Sequence, residues 1–454
     1  EHAIRLVKEQ NKLAESLHTR NIRINQRFQR VINAVRVNIS EKTAQYLTQL
    51  PSVKQLERPR SYGLMTKKSI PAVGAKTVWG MPRTGFDGEG IRVAVIDSGI
   101  DYTHAMFGGA GTKDAYIAND PSTIETGSFP TPKVGGWDFA GKNYKGADDE
   151  PQPDADPLDR SGYGHGTHVA GILAGIGVTI SGKPYTGPYF SELNYDEFKI
   201  RPGVAPKAKL FALKVFGDNA LGSTGVVLDA LEWCVDPNKD NQFDDRMDVV
   251  NLSLSTILGL EEKHEIEAEA FRNLSSIGCV VVAASGNSNN NNFYLVGAPG
   301  VERSVICVGA SKLDGETQRI ASLSARGPSS PYSLLKPEIV APGELIQSAK
   351  MGTGFEGSWL NGTSLSTPHV AGAAALALQA HPGWNTSEIK ALLLNTATTL
   401  SNEDGLVYPE SLAGAGFLDV AKAVETFVTI MAEGSDGLTT LSLGSLALSK
   451  PTTI

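Results

Sequence analysis

Four side chains in this sequence have types that could work together on one bond. Asp97 closes the apolar run VAVIDSGID, His165 lies between glycines in SGYGHGTHVAGILAG, Asn287 follows the run VVVAASGNSNN, and Ser364 stands in NGTSLSTPHVAG. A serine hydroxyl is a poor nucleophile until a base removes its proton. An imidazole base in turn needs a carboxylate that fixes its tautomer and supports its positive charge. An amide such as that of Asn287 can donate to an oxyanion as it forms. Taken singly, Asp97 reads as a helix cap, His165 as a packed histidine and Ser364 as an N-cap. Taken jointly, in the order Asp, His, Ser and each within a glycine-flanked motif where an element begins or ends, they point to nucleophilic acyl transfer.

The elements that must position these groups are legible from residue 85 onward. Short apolar runs, IRVAVID, KLFALKVF, DVVNLSLS, CVVVAAS and VICVGAS, alternate with helical stretches over 222–234, 261–277 and 364–380. Buried strands alternating with helices imply an α/β fold, a mostly parallel sheet with helices on both faces. Ligands of such sheets gather outside the C-terminal strand ends, where Asp97 and Asn287 are expected to stand. The region 108–160, rich in Gly, Pro and Asp, reads as long loops. Ser364 is expected at the start of a helix whose free N–H groups and dipole favour negative charge, with Pro368 tolerated in its first turn. The small residues around it let that helix pack closely and leave room for a substrate.

Residues 1–60 differ in character. An amphipathic helix over 1–20, a strand or hairpin in RFQRVINAVRVNIS, a short helix in EKTAQYLTQL and a strand in VKQLERP form a small α+β unit. It holds twelve Lys and Arg against five Asp and Glu, a charge of +7 in a chain of −8, which leaves −15 for the remainder. A basic segment docked on an acidic body is the expectation. The overall acidity argues against nucleic acid as a partner. Cys234, Cys279 and Cys307 make no disulfide framework, and no run of 18 apolar residues suggests a membrane span. The sequence opens in mid-helix without Met or signal peptide, so its natural N-terminus is expected to lie upstream.

DSGID, GHGTHVAG, ASGN and NGTSLSTPHVAG, in that order, closely resemble the signature segments of the subtilisin-like serine proteases, the subtilases. The likeness covers about residues 70–425, with 68 residues from Asp97 to His165 and 199 from His165 to Ser364. It implies a secreted serine endopeptidase, a hydrolase made as a self-processing zymogen. Ser364 is then the nucleophile, His165 the base, Asp97 its support, and Asn287 with the Ser364 backbone N–H the oxyanion hole. By the same resemblance, Ser253, Leu254 and Ser255 pair with an extended peptide, and Ala284, Ser285 and Gly286 wall the pocket for the residue before the cut. Protein or peptide substrates follow as partners. Residues 1–62 resemble, more weakly, the ferredoxin-like inhibitory prosegment of the family, without its first strand and acting as an intramolecular inhibitor. A linker and maturation region (63–74), a catalytic domain (75–428) and a tail (429–454), the possible start of a further β-domain, complete this reading.

A structural Ca²⁺ is the one cofactor implied; no organic cofactor is. Asp236, Asn238, Asp240, Asp244 and Asp245 offer hard oxygens at the spacing such an ion takes, and similar acidic loops hold calcium in subtilases. The loop departs from the EF-hand pattern at Asn241 and Met247. A zinc reading of His165 and His168 fails for want of the adjacent Glu. An α/β-hydrolase esterase needs a G-x-S-x-G elbow and the order Ser, Asp, His, both absent here. A catalytically silent or prosegment-inhibited subtilase that only binds peptides is the remaining alternative.

Overall fold

The computed structural model describes residues 2–28, 34–37, 39–54, 56, 69–80, 85–120, 123, 129, 133–146, 148–220, 222–240, 242–256, 258–259, 266–288, 292–314 and 317–431. The chain separates into two compact units, Glu1–Leu64 and Met65–Ile454. In the first, a helix His2–His18 precedes an antiparallel hairpin of Ile24–Phe28 with Ala34–Val37 and a second helix Glu41–Leu47. Ser40 caps that helix by accepting Thr43 N–H. Leu17, Ile22 and Leu47 close its small core. The strand expected in VKQLERP is not assigned at the described residues 53, 54 and 56; the rest of that stretch and the linker to residue 68 lie outside the described residues. So does the tail beyond residue 431.

The second unit is built on an eight-stranded sheet. In chain order its strands are β1 (Arg92–Asp97), β2 (Val134–Asp138), β3 (Lys209–Lys214), β4 (Val249–Leu252), β5 (Val280–Ala284), β6 (Ile306–Asp314), β7 (Thr317–Ile320) and β8 (Ile339–Pro342). They lie in the order β7-β6-β5-β4-β1-β3-β2, with β8 also on β6. Every pairing is parallel except the β6–β7 hairpin. After β1 the chain first lays the edge strand β2, then inserts β3 between β2 and β1, and returns to lay β4 on the other side of β1. Asp97, the last residue of β1, therefore stands at the point where the order reverses, where an open α/β sheet leaves a crevice.

Alternation along β1 shows why both faces are covered. Val93 and Val95 enter one core, shared with helices α1 (His165–Ala174) and α4 (Thr363–Ala380). Ala94 and Ile96 enter the opposite core, shared with α2 (Thr224–Val235) and α3 (Ile266–Ser276). One expectation needs correction. The region 108–160 is not all loop: it contributes a helical turn, Lys113–Ala118, and the edge strand β2. The stretch VGGWD was illegible because Gly135 and Gly136 carry no strand signal, and pairing with β3 decides its conformation. β8, with the sequence IVAP, is likewise held by its register with β6.

Candidate active site

Asp97 and His165, 68 residues apart, meet across the C-terminal end of β1. His165 Nδ1 lies 2.8 Å from Asp97 Oδ1 and 3.0 Å from Oδ2. The Ser98 backbone N–H donates to the same carboxylate at 2.8 Å. Gly166 makes the approach possible: a Cβ on it would lie 2.2 Å from the Gly99 carbonyl oxygen and 3.2 Å from Asp97 Cβ. Asp97 is buried, while the His165 side chain keeps 31% of its surface exposed. Burial works against charging the imidazole, but the charge and hydrogen bond of Asp97, with the charge of Asp159 behind it, outweigh that and raise the pKa above 6.5. With Nδ1 committed to the carboxylate, Nε2 is the nitrogen left to accept a proton.

Ser364 is the second residue of α4 and is partly exposed, unlike most of that helix. Asn287 is turned toward it by two bonds to its carbonyl oxygen, from the Thr363 backbone N–H at 2.9 Å and the Thr363 hydroxyl at 3.1 Å. Its Nδ2 is thereby left as a donor. A Cβ built on Gly362 would sit 2.9 Å from Ser364 Oγ and 3.4 Å from Asn287 Nδ2. One small space therefore borders both the hydroxyl and the amide.

The reading of Pro368 needs revision. α4 begins at Thr363, so Pro368 lies beyond the first turn, and the N–H it lacks is the one that would bond to the Ser364 carbonyl. Ser253 supplies the missing donor: its Oγ donates to Ser364 O at 2.7 Å, and itself accepts from Asn251 Nδ2 at 3.0 Å. Ser253 is thus buried, with its side chain supporting the turn that carries Ser364. Leu254 and Ser255 follow the end of β4 and are half-buried. Ala284 and Ser285 have no exposed surface, and Gly286 is buried at the end of β5.

His168 is fully buried, its Nε2 sits 3.1 Å from the Ser358 carbonyl, and burial lowers its pKa to about 3. The three cysteines are buried too, and burial pushes the Cys279 and Cys307 thiols up to about 12.

The acidic loop after α2 folds on itself. Asp240 N–H donates to Asp236 Oδ1 at 3.1 Å and to Asn238 Oδ1 at 2.9 Å, while Asn238 N–H donates to Asp245 Oδ2 at 3.1 Å. The Asp244 backbone carbonyl accepts from Arg92 at 2.9 Å. Asp245 Oδ1 is buried with no hydrogen-bond partner, which suits a cation. Among the described residues, however, no three His, Cys, Asp or Glu side chains are gathered as a metal cage.

Several residues that position the site were not singled out in the sequence. Thr363 aims Asn287, Ser98 accepts Gly166 N–H at 2.9 Å, and Asp159 accepts from Thr167. Their only sequence signal is that each lies within six residues of a candidate group.

Comparison with known proteins shows the family. The model of the subtilase family matches residues 88–416. The chain is 32% identical to the serine protease AprX of Bacillus subtilis over 324 residues, 67% of this chain and 65% of AprX. It is 31% identical to subtilisin E of Bacillus subtilis over 375 residues, 82% of this chain and 77% of subtilisin E. An alkaline protease of Alkalihalobacillus alcalophilus is 30% identical over 395 residues, 84% and 79% of the two chains. The chain thus spans just under two thirds of AprX and about three quarters of the others.

Proposed function

Because the chain belongs to the subtilase family of serine endopeptidases, we propose that it hydrolyses peptide bonds with Ser364 as nucleophile, His165 as base and Asp97 and Asn287 in support. The Ser364 hydroxyl attacks the scissile carbonyl carbon as its proton passes to His165 Nε2. The carbonyl oxygen, now an anion, takes N–H donors from Asn287 Nδ2 and the Ser364 backbone at the start of α4. His165 then returns the proton to the leaving amine, and water repeats the sequence on the acyl-enzyme. Asp97 keeps the Nδ1–H tautomer and supports the imidazolium between the two transfers. Two observations carry this reading: the pairing of His165 with a buried Asp97, and a space bordered by both Ser364 Oγ and Asn287 Nδ2. A fluorophosphonate probe tests it: labelling confined to Ser364, lost in Ser364→Ala together with casein cleavage, is the expected result. Labelling that persists in Ser364→Ala overturns it.

The reading extends to an exported enzyme made as a zymogen, in which residues 1–62 act as inhibitor and are removed near residues 56–70. Its support is the family resemblance of that unit and its +7 charge. Equal processing of wild type and Ser364→Ala speaks against self-cleavage. A Ca²⁺ held by the loop 236–245 is the corresponding structural proposal; the buried, unpartnered Asp245 oxygen supports it.

A further inference from the structure

The helix that carries His165 begins without a cap of its own. Gly164 precedes it and has no side-chain oxygen to offer, yet the N–H groups of a first turn need acceptors. Two loops supply them. Ser98 Oγ accepts Gly166 N–H at 2.9 Å. Asp159 Oδ2 accepts the Thr167 N–H at 3.1 Å and the Thr167 hydroxyl at 2.8 Å. The other Asp159 oxygen takes the Ser161 N–H at 3.2 Å and hydroxyl at 2.8 Å. Thr167 Oγ1 in turn accepts the Asp101 N–H at 2.9 Å, which ties the chain after β1 to the same helix.

The loop that holds Asp159 is fixed from its far side. The Tyr116 hydroxyl donates to the Asp159 carbonyl at 3.0 Å, and Arg160 donates to the Asn119 carbonyl at 2.7 Å while lying over the Tyr116 ring. Asp159 itself is completely buried. A carboxylate is costly to keep in such a place, and proton transfer from Ser364 to His165 with Asp97 in support does not call for a second one. Its position between the start of α1 and the chain after β1 gives it a use.

Resting on the endopeptidase reading above, we propose that Asp159 is a positioning residue for His165: it caps α1 from outside through Thr167, and its charge adds to that of Asp97 in supporting the imidazolium. The groups facing this pair are Asp97 and Asp101 from the end of β1, His168 on the same helix, and Tyr116 and Arg160 behind Asp159. Burial pushes the Asp159 carboxyl up to about 6; the bonds from Thr167 and Ser161 restrain that rise, and the charge of Asp97 adds to it. Asp159 is therefore ionised in the range above 6.5 where His165 gives up its proton.

The test is an NMR titration of ring-labelled histidine in the Ser364→Ala protein, with the His165 signal identified by its loss in His165→Gln. Asp159→Asn keeps the shape and removes the charge, and should lower the His165 pKa by about half a unit or more. An unmoved pKa overturns the proposal. In the active enzyme, Thr167→Val keeps the charge and the backbone N–H bond but removes the hydroxyl's bonds to Asp159 and from the Asp101 N–H; kcat should fall roughly tenfold at unchanged KM, with recovery in Thr167→Ser. Unchanged kcat in Thr167→Val also overturns it, and this variant decides the matter if Asp159→Asn does not fold. Fluorophosphonate labelling of the wild type judges the endopeptidase reading separately, because the His165 pKa responds to Asp159 whether or not the protein cleaves peptides.

Discussion

Replacing Ser253 by alanine should destabilise the turn that carries Ser364, by an amount the structure sets. The substitution removes the 2.7 Å donor to the Ser364 carbonyl and the 3.0 Å acceptor of the Asn251 amide. Asn251 is fully buried and Ser253 nearly so, so water cannot readily replace either bond. A buried polar group left without its partner costs about 1–3 kcal/mol, so the two together should cost roughly 2–6 kcal/mol. The structure also says how to recover part of it. Pro368→Ala restores an N–H at the position that bonds to the Ser364 carbonyl in a regular helix. In the Pro368→Ala background, Ser253→Ala should strand only the Asn251 amide. The two substitutions should therefore be coupled by about 1–2 kcal/mol. The assay is guanidinium unfolding of the four proteins in a Ser364→Ala background, which prevents self-digestion and leaves the residue 364 carbonyl in place. Costs that add within about 0.5 kcal/mol would refute the account of Pro368, because they would mean Ser253 is not replacing the missing donor.

Four further outcomes can be checked directly. His165 acts as a base only when neutral and its pKa is raised above 6.5, so kcat/KM should be full above that pKa and fall about tenfold per pH unit below it; Asp97→Asn should cost roughly 10⁴ in kcat, and a variant with near-normal kcat would remove Asp97 from the mechanism. Asn287→Ala should lower kcat roughly 10²–10³-fold with little change in KM, a magnitude that comes from the corresponding asparagine of subtilisin itself; a change confined to KM would contradict an oxyanion role. If the loop 236–245 holds Ca²⁺, adding the ion at about a hundred times its Kd should stabilise the protein by roughly 3 kcal/mol, a gain absent in Asp240→Asn; calorimetric titration showing no heat and no shift in Tm would dismiss the site.

The sequence by itself determined the candidate residues for the chemistry and what kind of scaffold holds them. Asp97, His165, Asn287 and Ser364 were legible because each is the reactive member of a short, glycine-flanked motif. The sheet was legible because five of its strands are continuous apolar runs of the kind buried on both faces. Both are local signals, readable within ten or so residues. The tertiary structure alone decided the strand order that leaves Asp97 at the reversal point, the capture of the glycine-bearing VGGWD as an edge strand, and the use of the Ser253 side chain beneath Ser364. It also decided the placing of Thr363 against Asn287 and of Asp159 against Thr167. Ser253 and Ser364 are 111 residues apart and Asn287 and Thr363 are 76 apart. Common polar residues at such separations show no pattern in sequence, because the need each one meets, a missing N–H or an uncapped helix, exists only once the backbone has packed.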